Sequence, residues 1–111
     1  MTVAITASLA ASAARTTSGN SGQVTVEGPT FGVMLNVTAV SGTTPSMTLS
    51  IEWSPDGVTW YPGETADAFT AITATGARAK AFPVKGPYAR ASWAITGTTP
   101  SFTFVATSFN A

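Results

Sequence analysis

Between Phe31 and Val105 the chain is written with a period of two, and that constrains the fold more than any other feature. Phe31, Val33, Leu35, Val37 and Ala39 fall on one side of a strand, with Gly32, Met34, Asn36, Thr38 and Val40 on the other. Met47, Leu49, Ile51 and Trp53 alternate with Thr48, Ser50 and Glu52. Ala89, Ala91, Trp93 and Ile95 alternate with Tyr88, Arg90, Ser92 and Ala94, and Phe102 and Phe104 with Thr103 and Val105. Each run has one face for a core and one for water or a neighbour. Weaker strands are expected at Thr2–Leu9, Gln23–Glu27, Ala68–Thr73 and Ala77–Val84, for seven or eight in all. The expected architecture is an all-β antiparallel β-sandwich, jelly-roll or immunoglobulin-like, with an N-terminal arm or extended segment.

Turn chemistry separates the runs. Ser54-Pro55-Asp56-Gly57 puts Pro where φ is preset, Asp beside it and Gly where a left-handed residue closes a reversal. It should fold Val58–Tyr61 back on the strand that ends at Trp53. A second signal occurs twice: Gly42-Thr43-Thr44-Pro45-Ser46 recurs 55 residues on as Gly97-Thr98-Thr99-Pro100-Ser101. The two copies read as the reversals of two long hairpins of one design, or as good turn chemistry used twice. The Ala-rich stretch Ala7–Ala14 suits either a short helix or a first strand. Arg15–Gly22 has the composition of a flexible connector. The division expected is therefore residues 1–22 as strand or arm plus connector and residues 23–111 as the sandwich, within one domain. At 111 residues the chain is too short to shelter two cores.

Composition then removes whole classes of function. Cysteine and histidine are absent, which takes away disulfides, thiolate and imidazole metal ligands, and the commonest general base. Five basic and five acidic side chains cancel, and only 9% of residues are charged. Phosphate-backbone binding draws on a surplus of Lys and Arg that is missing here, so neither nucleic acid nor an electrostatically held membrane is an expected partner. No apolar run approaches the roughly 20 residues of a membrane helix, and Met1–Ala14 lacks the cationic start of a secretory signal. Glu64 and Asp67 could together hold a calcium ion, but each has an easier structural reading. No nucleophile-elbow, zinc-protease, P-loop or dinucleotide motif is present. The expectation is a protein that is not an enzyme, with no catalytic, cofactor-binding or metal-binding residue and no cofactor.

What remains is contact chemistry. Trp53 and Trp93 share a face with Leu49, Ile51 and Ile95 and belong to the core. Trp60 and Tyr61 are neighbours on a strand and must point opposite ways, so one is available for contact. Arg90 lies mid-strand, to be solvated, paired with Glu52 or Glu64, or used between subunits. With Arg15 at the head of the connector, the candidate interface residues are Arg15, Trp60, Tyr61 and Arg90.

The order of these pieces, Gly-Thr-Thr-Pro-Ser, then Ile51-Glu52-Trp53-Ser54-Pro55-Asp56-Gly57-Val58-Thr59-Trp60, then Tyr88-Ala89-Arg90-Ala91, then Ile95-Thr96-Gly97-Thr98-Thr99-Pro100-Ser101-Phe102-Thr103-Phe104, resembles small β-sandwich structural proteins of tailed bacteriophage virions. The resemblance covers residues 31–106. It implies a virion component of the capsid decoration or auxiliary type, located on the capsid exterior after synthesis in the host cytoplasm. It further implies the major capsid protein as partner and self-association, commonly as a homotrimer. Alternatives are a carbohydrate-binding sandwich on the virion that stacks Trp60 or Tyr61 on a host glycan, and a head-tail or tail component. Strand or arm addition between neighbouring subunits is a further expectation, because Thr-rich strands leave their backbone edges open.

Overall fold

Two bent strands, each more than twenty residues long, pair with one another from end to end and carry everything else. The computed structural model describes residues 5–110. Its strands are β1 (Ile5–Arg15), β2 (Gly19–Asn20), β3 (Val24–Thr25), β4 (Thr30–Ser54), β5 (Tyr61–Pro62), β6 (Gly76–Pro83) and β7 (Tyr88–Asn110), with one 3-10 turn at Thr65–Asp67. Residues 2–4 of the expected first strand lie outside the described residues. The fold is all-β and antiparallel, as the period of two requires.

The long ribbon runs from Phe31 opposite Asn110 to Ser54 opposite Tyr88. Its first half is flanked by β1 on β7 and β6 on β4, giving the order β1-β7-β4-β6. Its second half is flanked by β2 and β3 on β7 and by β5 on β4, with bridges from Ser50 to Ala68 and from Met47 to Ile72. Between these four-stranded layers the ribbon folds back, so the layers stack and their inward residues meet. Phe31 of the first layer lies edge-on to Trp53 of the second at 5.9 Å, and Trp93 edge-on to Phe104 at 5.3 Å. Met47, Leu49, Ile51, Val33, Leu35, Val37, Phe82, Phe102 and Ala106 fill the space between with essentially no exposure. Burying a side chain of this size is worth about 1.5–3 kcal/mol, so this single core is the main source of stability.

The pairing also reveals an exchange. Segments from the first half of the chain, β1 to β3, pair with β7, while segments from the second half, β5 and β6, pair with β4. The two halves are interwoven about an approximate two-fold axis through the ribbon.

That axis passes through the repeated motif, and here the hairpin reading is corrected. Neither Gly-Thr-Thr-Pro-Ser copy reverses the chain. They lie opposite each other in mid-ribbon, Ser41 facing Ser101 and Thr43 facing Thr98, with register shifts on both sides. Residues that make good turns also make good bulges, because both need left-handed backbone. Gly42 and Gly97 have φ of 110° and 123°, and Thr44 and Thr99 have φ of 46° and 47°. Contacts are reciprocal: a Cβ on Gly42 would stand 2.7 Å from the Thr99 carbonyl oxygen, and one on Gly97 would stand 2.9 Å from that of Thr44. The runs on either side of each copy, read from sequence as separate strands, are therefore one strand each.

Ala7–Ala14 is strand rather than helix, and the connector after it is stitched down. Ser18 Oγ accepts the amide of Ile95 at 2.9 Å, and Ser21 exchanges bonds with Ala91 through its amide and its hydroxyl, each at 2.8 Å. Gly42→Ala and Gly97→Ala should each lower stability by about 1–3 kcal/mol, since both the backbone angle and the facing carbonyl oppose a side chain. Gly22→Ala, at a position with nothing within 4 Å of the added carbon, should cost nothing measurable. Urea denaturation of the three variants checks this.

Candidate interaction surfaces

The turn after β4 sets the positions of the two exposed aromatics. Ser54 Oγ accepts the amides of Gly57 at 2.8 Å and Asp56 at 3.3 Å, and donates to Asp56 Oδ1 at 3.1 Å. Asp56 Oδ1 in turn accepts the amides of Val58 and Thr59, both at 2.8 Å. The backbone therefore reverses tightly, and Tyr61 returns opposite Trp53, as the Pro-Asp-Gly spelling requires. These amide bonds hold the Asp56 carboxyl below the usual carboxylate range.

Trp60 and Tyr61 do part to opposite sides. The Arg90 guanidinium lies 4.4 Å from the centre of the Trp60 ring and is bound to Glu52 at 2.7 Å. The three side chains form one half-buried patch on the outer face of the second layer. Tyr61, half exposed, instead borders a cleft of about 360 Å³ with Trp53, Pro55, Pro62, Lys85 and Pro87. Trp53, in the cleft wall, leaves its Nε1–H without an acceptor. Behind the cleft, Lys85 is bound at 3.0 Å to Asp67, whose carboxylate is fully buried and also accepts the Glu64 amide at 2.9 Å. Asp67 is thus the internal counter-ion of Lys85 and the anchor of the 3-10 turn. Glu64, the other acid of the calcium reading, contributes a backbone amide to that arrangement.

Arg15 is not grouped with the other three candidates. It packs over Phe104 at 4.2 Å and Trp93 at 5.0 Å, where partial desolvation lowers its pKa. It donates to the carbonyls of Ala11, Ala13 and Phe104 at 2.8, 3.0 and 3.1 Å. Only Trp60 and Arg90 among the four touch each other.

The surface that sequence reading did not single out is the outer face of the first layer. Gly32, Met34 and Asn36 of β4, Ala77 and Ala79 of β6, and Val105, Thr107 and Phe109 of β7 point away from the core together, and none is charged. Met34 is 56% exposed. The Phe109 ring covers Gly32, so close that a Cβ there would overlap it, and Met34, Asn36, Ala77, Ala79, Val105 and Thr107 line a shallow depression of about 400 Å³ that Arg78 borders. Only adjacency shows this face: each residue is unremarkable until β6, β4 and β7 are laid side by side. Large exposed apolar patches on small domains mark contact sites. Among the described residues no cluster of carboxylates is placed to hold a metal ion, and no helix is long and apolar enough to cross a membrane.

Comparison with protein-family models, curated proteins and solved structures finds no match to this chain.

Because the folded Asp56 carboxyl titrates below its unfolded value, its contribution is complete above the ordinary carboxylate range and is lost as pH falls from that range through the lowered folded value. Asp56→Asn should therefore flatten part of the fall in stability from about pH 5 down to about pH 2. Thermal melts of both proteins across that range measure the difference.

Proposed function

We propose that this protein is a structural component of a tailed bacteriophage virion, decorating and stabilising the capsid shell through protein–protein contacts made largely by the outer face of the first layer. The observation that carries the proposal is that face, centred on the exposed Met34, whose outward residues carry no charge and which Arg78 borders, while Lys85 and Arg90 are engaged by Asp67 and Glu52. A decoration protein needs rigidity and a complementary flank rather than chemistry, and a specific contact of ordinary size buries about 800 Å² per partner. The sequence resemblance over residues 31–106 supports the same role, with the major capsid protein as partner and a homotrimer as the unit that binds.

Met34→Glu tests this directly, since it places a charge at the centre of the face without entering the core. Co-sedimentation with capsids of the virus that encodes the chain should fall at least tenfold, which corresponds to about 1.4 kcal/mol of lost binding. The thermal midpoint should stay where it was. Unchanged co-sedimentation, or no density for an 11.3 kDa sandwich on the shell exterior by electron microscopy, overturns the proposal.

A second reading, glycan binding on the virion surface, has one observation in its favour: Tyr61 is 55% exposed beside an apolar cleft and could stack on a sugar face. There Tyr61→Ala should abolish retention on a glycan array while Met34→Glu has no effect.

A further inference from the structure

A chain whose halves bind each other rather than themselves can bind another copy of itself, because the contacts that close one molecule serve equally well between two. Among the described residues, every strand pairing in this protein joins a residue before Pro55 to one after Trp60. β1, β2 and β3 pair with β7, β5 and β6 pair with β4, and β4 pairs with β7. The bridges Met47–Ile72 and Ser50–Ala68 cross in the same way. No described strand pairs within its own half.

The crossing is reciprocal in detail. Val-x-Gly-Pro occurs at Val26–Pro29 and again at Val84–Pro87. The Val26 amide donates to the Pro87 carbonyl at 2.8 Å, and the Val84 amide donates to the Pro29 carbonyl at 3.1 Å. Just beyond, Thr30 opposite Pro83 and Phe31 opposite Phe82 are matched by Tyr88 opposite Thr25 and Ala89 opposite Val24. Each half therefore carries the surface that the other half needs.

We propose that the partner this architecture accepts is a second copy of the chain, taken up by exchange of whole halves, with the Ser54–Thr59 reversal as the latch that keeps a single chain closed. Pro55–Trp60, between β4 and β5, is the one covalent link between the halves. The hydrogen bonds that shape it are local: Ser54 Oγ takes the Gly57 amide, and Asp56 Oδ1 takes those of Val58 and Thr59. Opening the latch breaks these bonds and lets β5, β6 and β7 fold on β4 of the other copy. Every pairing between halves is then remade between chains, and the Lys85–Asp67 ion pair, internal to the second half, travels with it. Dilute chains stay closed, since a short link holds the halves at an effective concentration of about 1 mM, and exchange competes near that concentration. The inference rests on pairing within one chain and does not depend on the proposed function.

The register shows how to force the exchange. Glu52 stands opposite Pro62 and Trp53 opposite Tyr61. With Pro55–Trp60 deleted, Ser54 is bonded to Tyr61, and one intervening residue cannot turn Tyr61 back onto Trp53, because antiparallel partners face each other across about 4.5–5.5 Å. Between two copies the same register fits without a turn: Trp53 faces Tyr61 of the second copy, and Ser54 faces its own counterpart on the two-fold axis.

Because the chain has no cysteine, Ser41→Cys with Ser101→Cys, at facing positions in mid-ribbon, reports which chain each half pairs with. The full-length double variant, refolded from urea at about 10 µM and oxidised, should run as a monomer on a non-reducing denaturing gel; refolded at about 1 mM, it should also give a discrete covalent dimer. The deletion variant carrying both cysteines should give that dimer as its main product at either concentration, with the far-UV circular dichroism of the full chain. A folded, monomeric deletion variant would overturn the inference. So would dimers in solution whose disulfides all lie within single chains, which is association by faces. A deletion variant that stays unfolded, together with a full chain that refolds at 1 mM to monomer alone, would overturn it as well.

Discussion

The pairing of β4 with β7 is the constraint on which the rest depends. A strand of more than twenty residues cannot stay flat and also bury one side, so the ribbon must bend, and it bends where both strands leave regular geometry together. Folding the ribbon on itself turns one sheet into two layers. It also brings Phe31 against Trp53, two residues of the same strand that would otherwise be far apart. The core is therefore built largely from two strands meeting themselves, with Phe82, Phe69 and Ile72 closing one side and Leu9 with Ala10 another.

The interweaving follows from the same geometry. Because the two motif copies face each other, each half of the chain lends its short strands to the long strand of the other. Neither half contains its own neighbours, so neither can bury its apolar face without the other. An unbranched chain of this kind obtains long-range cross-bracing without cysteine, at the cost of waiting for contacts distant in sequence. Folds with so many non-local pairings form slowly for their size.

Much of the core was legible in the sequence, since alternation alone places Phe31, Val33, Leu35, Val37, Met47, Leu49, Ile51, Trp53, Ala89, Ala91, Trp93, Phe102 and Phe104 inside. The Pro-Asp-Gly reversal was legible too, because its hydrogen bonds are local. The Gly-Thr-Thr-Pro-Ser copies were misleading for a definite reason: the same backbone conformations serve a reversal in one chain or a bulge shared by two, and the choice is made by what lies opposite. The same limit hid the outer face of the first layer. That face exists once β6, β4 and β7 lie side by side, and a sequence does not say which strands become neighbours.

Ile5 stands opposite Asn110, on neighbouring antiparallel strands at one pole of the molecule. Traction applied at these two points would part the rungs one after another, like a zip drawn from its open end, whereas a load spread across a flank strains many rungs at once. A body wired in this way yields when tugged by its tails and resists when gripped by its sides, so any place where it must bear tension has to hold it by the flanks.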